Sequence, residues 1–177
     1  MSFIRAGDPV PKKKVKRKDN SLLDCASDWK VTADFDHLRS DFPASICSTS
    51  QRPDLVIWSP RKKVVILGEL TCPAEEGIQN ATNRKQERYV DIQELIRLNG
   101  WTPHLFTFEV SARGLVAKSM LRFLRAIGFS SRLTSRIAKD LSLIAAKCSY
   151  AIYLAHESKH WDSKRELLKL DKLEANP

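Results

Sequence analysis

The sequence predicts an α/β domain: a mixed β-sheet core flanked by helices, with extra helices toward the C-terminus. Three observations predict it. Leu55-Val56-Ile57-Trp58 and residues 63–70 are β-branched, apolar runs separated by Ser59-Pro60-Arg61-Lys62, a turn sequence, and so read as a β-hairpin. Over residues 75–98 the apolar positions Ile78, Ala81, Tyr89, Ile92 and Ile96 recur at three- and four-residue spacing, the pattern of an amphipathic helix. Residues 105–110 return to alternation, with Phe106, Phe108 and Val110 on one face.

The remaining elements follow in order. Residues 1–20 hold two prolines, a lysine run and few large apolar side chains, so they are expected to be a disordered basic tail. Trp29, Val31, Ala33 and Phe35 alternate, which predicts a short strand within 29–36, and a Ser-, Thr- and Pro-rich loop over 41–51 follows. Both faces of the second hairpin strand are apolar, as in a strand buried at the centre of a sheet. Pro73 ends it. Glu75 and Glu76 suit the first turn of the helix, and Asn99-Gly100 stops it. Two further helices are predicted over about 115–127 and 131–155, divided by Gly128, with Ser130 or Ser131 capping the second. The expected domain is thus 21–157, followed by a charged C-terminal tail over 158–177.

The chain has 177 residues, room for one domain with a proper core, and a formal charge of +9. That charge is uneven. Residues 1–20 carry seven Lys/Arg against two Asp, and residues 115–147 carry seven against Asp140 alone. Two basic blocks suggest a polyanionic partner, nucleic acid or an anionic membrane surface. No apolar run, that of residues 64–67 included, comes near the length needed to span a bilayer, and the N-terminus shows no apolar stretch of signal-peptide type, so nucleus or cytosol is expected. The string Pro11-Lys12-Lys13-Lys14-Val15-Lys16-Arg17-Lys18 resembles a nuclear-localisation signal, and also reads as an arm with non-specific phosphate affinity. Cys25, Cys47, Cys72 and Cys148 are scattered without zinc-ligand or disulfide spacing and are expected to be plain thiols.

Two acids stand out. With Pro60 and Arg61 as the tip of a two-residue turn, Asp54 lies opposite Leu67. Alternation then makes Asp54 and Glu69 diagonal neighbours on one face, with Cα atoms roughly 7–8 Å apart. Glu69 sits deep in the strand expected to be buried, where an unpaired charge is very costly. A cation, a basic side chain or protonation must neutralise it. Mg²⁺ favours carboxylate oxygens and suits phosphodiester hydrolysis. Lys85 is seven residues after Ile78 and four before Tyr89, on the apolar stripe of the helix, so it faces the sheet; Arg88 follows one turn on. Lys85 is therefore either the partner of Glu69 in a structural ion pair or a group that offsets charge on a phosphate. Lys118, Arg122 and Arg125 share a helical face, as do Arg132, Arg136 and Lys139; such stripes either track a DNA backbone or form a solvated polar face.

Arg52-Pro53-Asp54 followed by Glu69-Leu70-Thr71 resembles the PD-(D/E)XK nuclease signature. The ordered blocks RPDLVIWS, VVILGELTCPAEEGI, NRKQERY and VSARG resemble more closely the restriction-like endonuclease region of site-specific non-LTR retrotransposon polyproteins and of free-standing proteins derived from them. The similarity runs over about residues 28–153. It implies a restriction-endonuclease-like αβββαβ core and DNA cleavage with Mg²⁺ (or Mn²⁺) held by Asp54 and Glu69. Thr71 departs from the pattern, standing where the superfamily lysine usually sits; the resemblance moves that role to Lys85 and Arg88. Glu75, Glu109 and Arg113 match further recurrent positions, with Glu75 also readable as a helix N-terminal acid and Arg113 as a phosphate contact or a strand cap. The expected partner is DNA, with neither a membrane nor a small-molecule cofactor. A catalytically inactive nucleic-acid-binding relic of the same fold is the alternative.

Overall fold

The computed structural model describes residues 21–33, 41–157, 159 and 161–175. The basic tail, with its lysine run, lies outside them, as does Phe35 of the first predicted strand. Four strands form one mixed sheet in the order β1 (Lys30–Ala33), β2 (Leu55–Ser59), β3 (Val64–Thr71), β4 (Thr102–Glu109). The first two pairings are antiparallel; β3 and β4 are parallel. A parallel partner requires a crossover, and α1 (Ile78–Arg88) with α2 (Val90–Leu98) supplies it. Then come α3 (Lys118–Ala126), α4 (Ser131–His156) and α5 (Ser163–Ala175). The domain is mixed α/β, with its sheet flanked by helices.

The predicted central strand is β3, paired on both sides. Alternation along it divides the core in two. Val65 and Leu67, with Val56 of β2, pack against Tyr89, Ile92, Ile96 and Trp101 under α1 and α2. Ile66 and Ile57 face the other way, joining Phe108, Val110, Phe123 and Leu124 beneath α3 and α4. Phe108 stacks on Phe123 with ring centroids 4.8 Å apart. Gly68 makes room for this aromatic layer, since a Cβ there would lie 2.8 Å from the Phe108 ring and 3.1 Å from the Leu55 Cβ.

Four boundaries differ from the sequence expectation, each for a local reason. The hairpin pairs Ser59 with Val64 and Val56 with Leu67, so the turn has four residues, Pro60 to Lys63, with Lys63 at φ +50°. The helix predicted over 75–98 is a 3₁₀ turn (Glu75–Gly77) followed by α1 and α2, broken at Tyr89 (φ −99°, ψ 9°). There the Gln51 side-chain amide takes the Arg88 carbonyl at 3.0 Å, out of the helical ladder. The last strand begins at Thr102, three residues early. The first C-terminal helix starts at Lys118 because Val116 bridges Val110 and the Ala117 N–H donates to the Glu109 carbonyl (2.9 Å). Elsewhere the expected signals hold. Gly100 (φ +76°) ends α2, and Ser130 caps α4 by accepting from the Leu133 N–H at 3.3 Å. The charged stretch after Trp161 is helical and packs on α4, with Lys147 on Asp171 at 2.6 Å. Among the described residues no helix is long and apolar enough to cross a membrane.

Candidate active site

Continuing the β2–β3 register one step past Leu55↔Gly68 puts Asp54 directly opposite Glu69. This corrects the diagonal placement: the longer turn slides the strands by two residues in register sum, which preserves the face and shortens the separation. Crossed backbone-to-carboxylate hydrogen bonds join the two strands here. The Asp54 N–H donates to Glu69 Oε2 (3.3 Å), and the Leu70 N–H donates to Asp54 Oδ2 (2.7 Å).

Glu69 is 4 % exposed. A carboxylate so buried requires a partner, and α1 brings one. Lys85 Nζ donates to Glu69 Oε1 in a hydrogen-bonded ion pair. The facing of Lys85 read from helical periodicity is what the structure has. Tyr89, fully buried one helical turn later, donates its hydroxyl to Glu69 Oε2 at 2.8 Å and lies 3.3 Å from the Arg52 carbonyl. Burial, and then the hydrogen bond to Glu69, hold its phenol well above the usual tyrosine pKa, so it remains a donor. Tyr89 was read from sequence only as a stripe residue. Its position four after Lys85, on the same face, was the signal that it reaches the same carboxylate.

Arg88 meets this cluster through Tyr89. Its guanidinium lies 5.9 Å from the centre of the Tyr89 ring, a cation–π contact on the outer side of the cluster. Glu75 and Arg113 form a separate ion pair (2.9 Å), with Glu76 at 3.6 Å from the same guanidinium. Glu109 is 1 % exposed, on the same sheet face as Glu69, and is held by the hydroxyls of Thr82 (2.9 Å) and Ser119. Thr71, in register with Glu109, has a buried hydroxyl with no hydrogen-bond partner among the described residues. Arg125, Arg132 and Arg136 are exposed on α3 and α4, the helices packed on the opposite sheet face from the acids. Lys118 and Arg122 border a cleft beside β4.

The residues fit a hard divalent cation in the chemistry of the donors. Two acids stand opposite each other on adjacent strands, and an ammonium is paired with one of them. Among the described residues no group of three or more His, Cys, Asp or Glu side chains is arranged to hold a metal.

Fold and site together define a mixed α/β domain with an acid pair at the β2–β3 junction and a lysine contributed by the crossover helix. No protein-family model matches the chain, and no curated protein aligns with it significantly.

Proposed function

We propose that this chain is a divalent-metal-dependent DNA endonuclease of PD-(D/E)XK type, derived from a retrotransposon nuclease. The observation that carries the reading is the placement of Asp54 opposite Glu69 across β2 and β3, with Lys85 on Glu69. The strand–strand–strand–helix–strand order supports it as well. In this reading Asp54 and Glu69 hold Mg²⁺ or Mn²⁺, which polarises the phosphodiester and lowers the pKa of water. Lys85 keeps a positive charge beside the scissile phosphate and offsets the charge that develops on its oxygens. Tyr89 fixes the Glu69 carboxylate in orientation. The exposed Arg125, Arg132 and Arg136 add phosphate affinity that salt weakens. The basic run Lys12–Lys18 directs the protein to the nucleus.

Plasmid nicking in Mg²⁺ tests the proposal. Asp54→Ala and Glu69→Ala each lower the rate by about a hundredfold or more, the scale of removing one electrostatic group from a hydrolytic site. Equal nicking by wild type and both variants overturns it.

A second reading, a catalytically silent DNA-binding relic, is favoured by one observation: both Glu69 oxygens are already engaged by protein groups. Calorimetric titration with Mg²⁺ and Mn²⁺ separates the two, because the nuclease reading requires binding that Asp54→Ala abolishes.

A further inference from the structure

β4 is an edge strand, and a trough runs along its free side. One cleft of about 590 Å³ lies between α1 and the start of α3; its wall includes Thr107, Glu109, Thr82, Ser119, Lys118 and Arg122. A second, of about 380 Å³, continues past Gln86 and Leu105, which both clefts share, to Val90 and Gln93 of α2. The two clefts are neighbours along the edge of β4.

Its floor is unused ladder. The N–H groups of Thr102 and Val110 point inward, to the carbonyls of Lys63 and Thr71, so the even-numbered backbone groups of β4 serve the pairing with β3. The odd-numbered ones point outward. Pro103 occupies an odd position, where a missing N–H costs the sheet nothing. At Glu109 the outward carbonyl is taken by the Ala117 N–H, and Val116 bridges Val110 in antiparallel fashion. Beyond that short pairing, Leu105 and Thr107 offer outward N–H and C=O groups with no backbone partner among the described residues. Leu105 is half-buried and Thr107 buried, so these groups are reached through the cleft between the helices, and a strand edge without a backbone partner is a template for another strand.

We infer that this trough binds an extended peptide segment of a partner protein, adding to β4 as a fifth strand, with acidic side chains at the α3 end and an apolar side chain at the α2 end. The shape favours an extended occupant over a compact one. Lys118 and Arg122 are exposed at one end, where the only carboxylate in the wall, Glu109, is buried under hydroxyls; Val90 and Leu105 are apolar at the other, beside the exposed Glu87. Outward N–H and C=O groups at alternate residues match the donors and acceptors of a strand, whereas a phosphate backbone offers acceptors alone. The inference is independent of the nuclease reading.

The test uses the full chain and a fluorescein-labelled, end-capped octapeptide of three glutamates followed by alternating valine and threonine, read by anisotropy and by amide exchange at Leu105 and Thr107. The peptide should bind and slow exchange at both amides. N-methylation of its alternate amides, which leaves the protein untouched, should weaken binding about tenfold or more through lost backbone hydrogen bonds. Lys118→Glu with Arg122→Glu should weaken it comparably. Absence of binding, equal binding of the N-methylated peptide, or protection of these amides by a ten-nucleotide single-stranded DNA but not by the peptide would each overturn the inference.

Discussion

Glu69 and Glu109 sit on the same face of neighbouring parallel strands, two residues apart in register, and are buried to nearly the same degree. Their surroundings differ. Glu69 has an ammonium, a phenol and a backbone N–H; Glu109 has two neutral hydroxyls and, among the described residues, no ion-pair partner. A buried negative charge is sustained by a positive one far better than by dipoles. The contrast teaches that burial of a glutamate in this sheet does not itself mark a reactive site. What sets Glu69 apart is the cation brought to it.

Removing that cation should have the largest effect. Lys85→Met leaves Glu69 buried with its charge uncompensated, and urea unfolding should show a loss of about 3 kcal/mol. A loss no larger than that of an exposed lysine would mean that the ion pair is inconsequential, and the two glutamates would be alike. Tyr89→Phe comes next. It removes a hydrogen bond to a charged group and should cost about 2 kcal/mol in the same assay. Glu109→Gln should change stability by less than about 1 kcal/mol, because the amide still fits its hydroxyl partners and no cation is orphaned. Glu69→Gln strands Lys85 and should cost distinctly more, so a reversed order would break the comparison.

The smallest signal is spectroscopic. The Tyr89 phenol is held above its ordinary pKa by burial and by Glu69. A folded-state pKa raised above the unfolded value stabilises the fold fully below the ordinary tyrosine range, and that contribution fades as pH climbs through the folded value. Absorbance titration should therefore show a tyrosine that ionises only above the ordinary range in the wild type and is missing from Tyr89→Phe. Loss of that late-ionising tyrosine from the folded wild type would contradict the buried hydrogen bond.

Much of this arrangement was legible from residue types and spacing. The apolar runs on both sides of Ser59–Lys62 announced the hairpin, and the 78–81–85–89 stripe turned Lys85 toward the sheet. The register was not legible. Whether Pro60-Arg61 or all four residues through Lys63 form the turn depends on a lysine adopting a left-handed conformation, which its side chain does not advertise. The interruption at Tyr89 was also hidden, because its cause, Gln51, lies 37 residues away. Nor does periodicity along one strand say how neighbouring strands are ordered. That Glu109 would come beside Glu69 rather than at a far edge followed only from the parallel β3–β4 pairing.

The four-residue turn has a consequence for how the molecule assembles. Closing it needs only a short loop, so the strand pair bearing Asp54 and Glu69 can form early, while β4 must wait for the whole helical detour between residues 71 and 102. Lys85 rides on that detour. The nascent chain therefore juxtaposes two like charges before their counterion docks, and folding speed should respond to whatever quenches that repulsion first: protons, salt or a divalent ion.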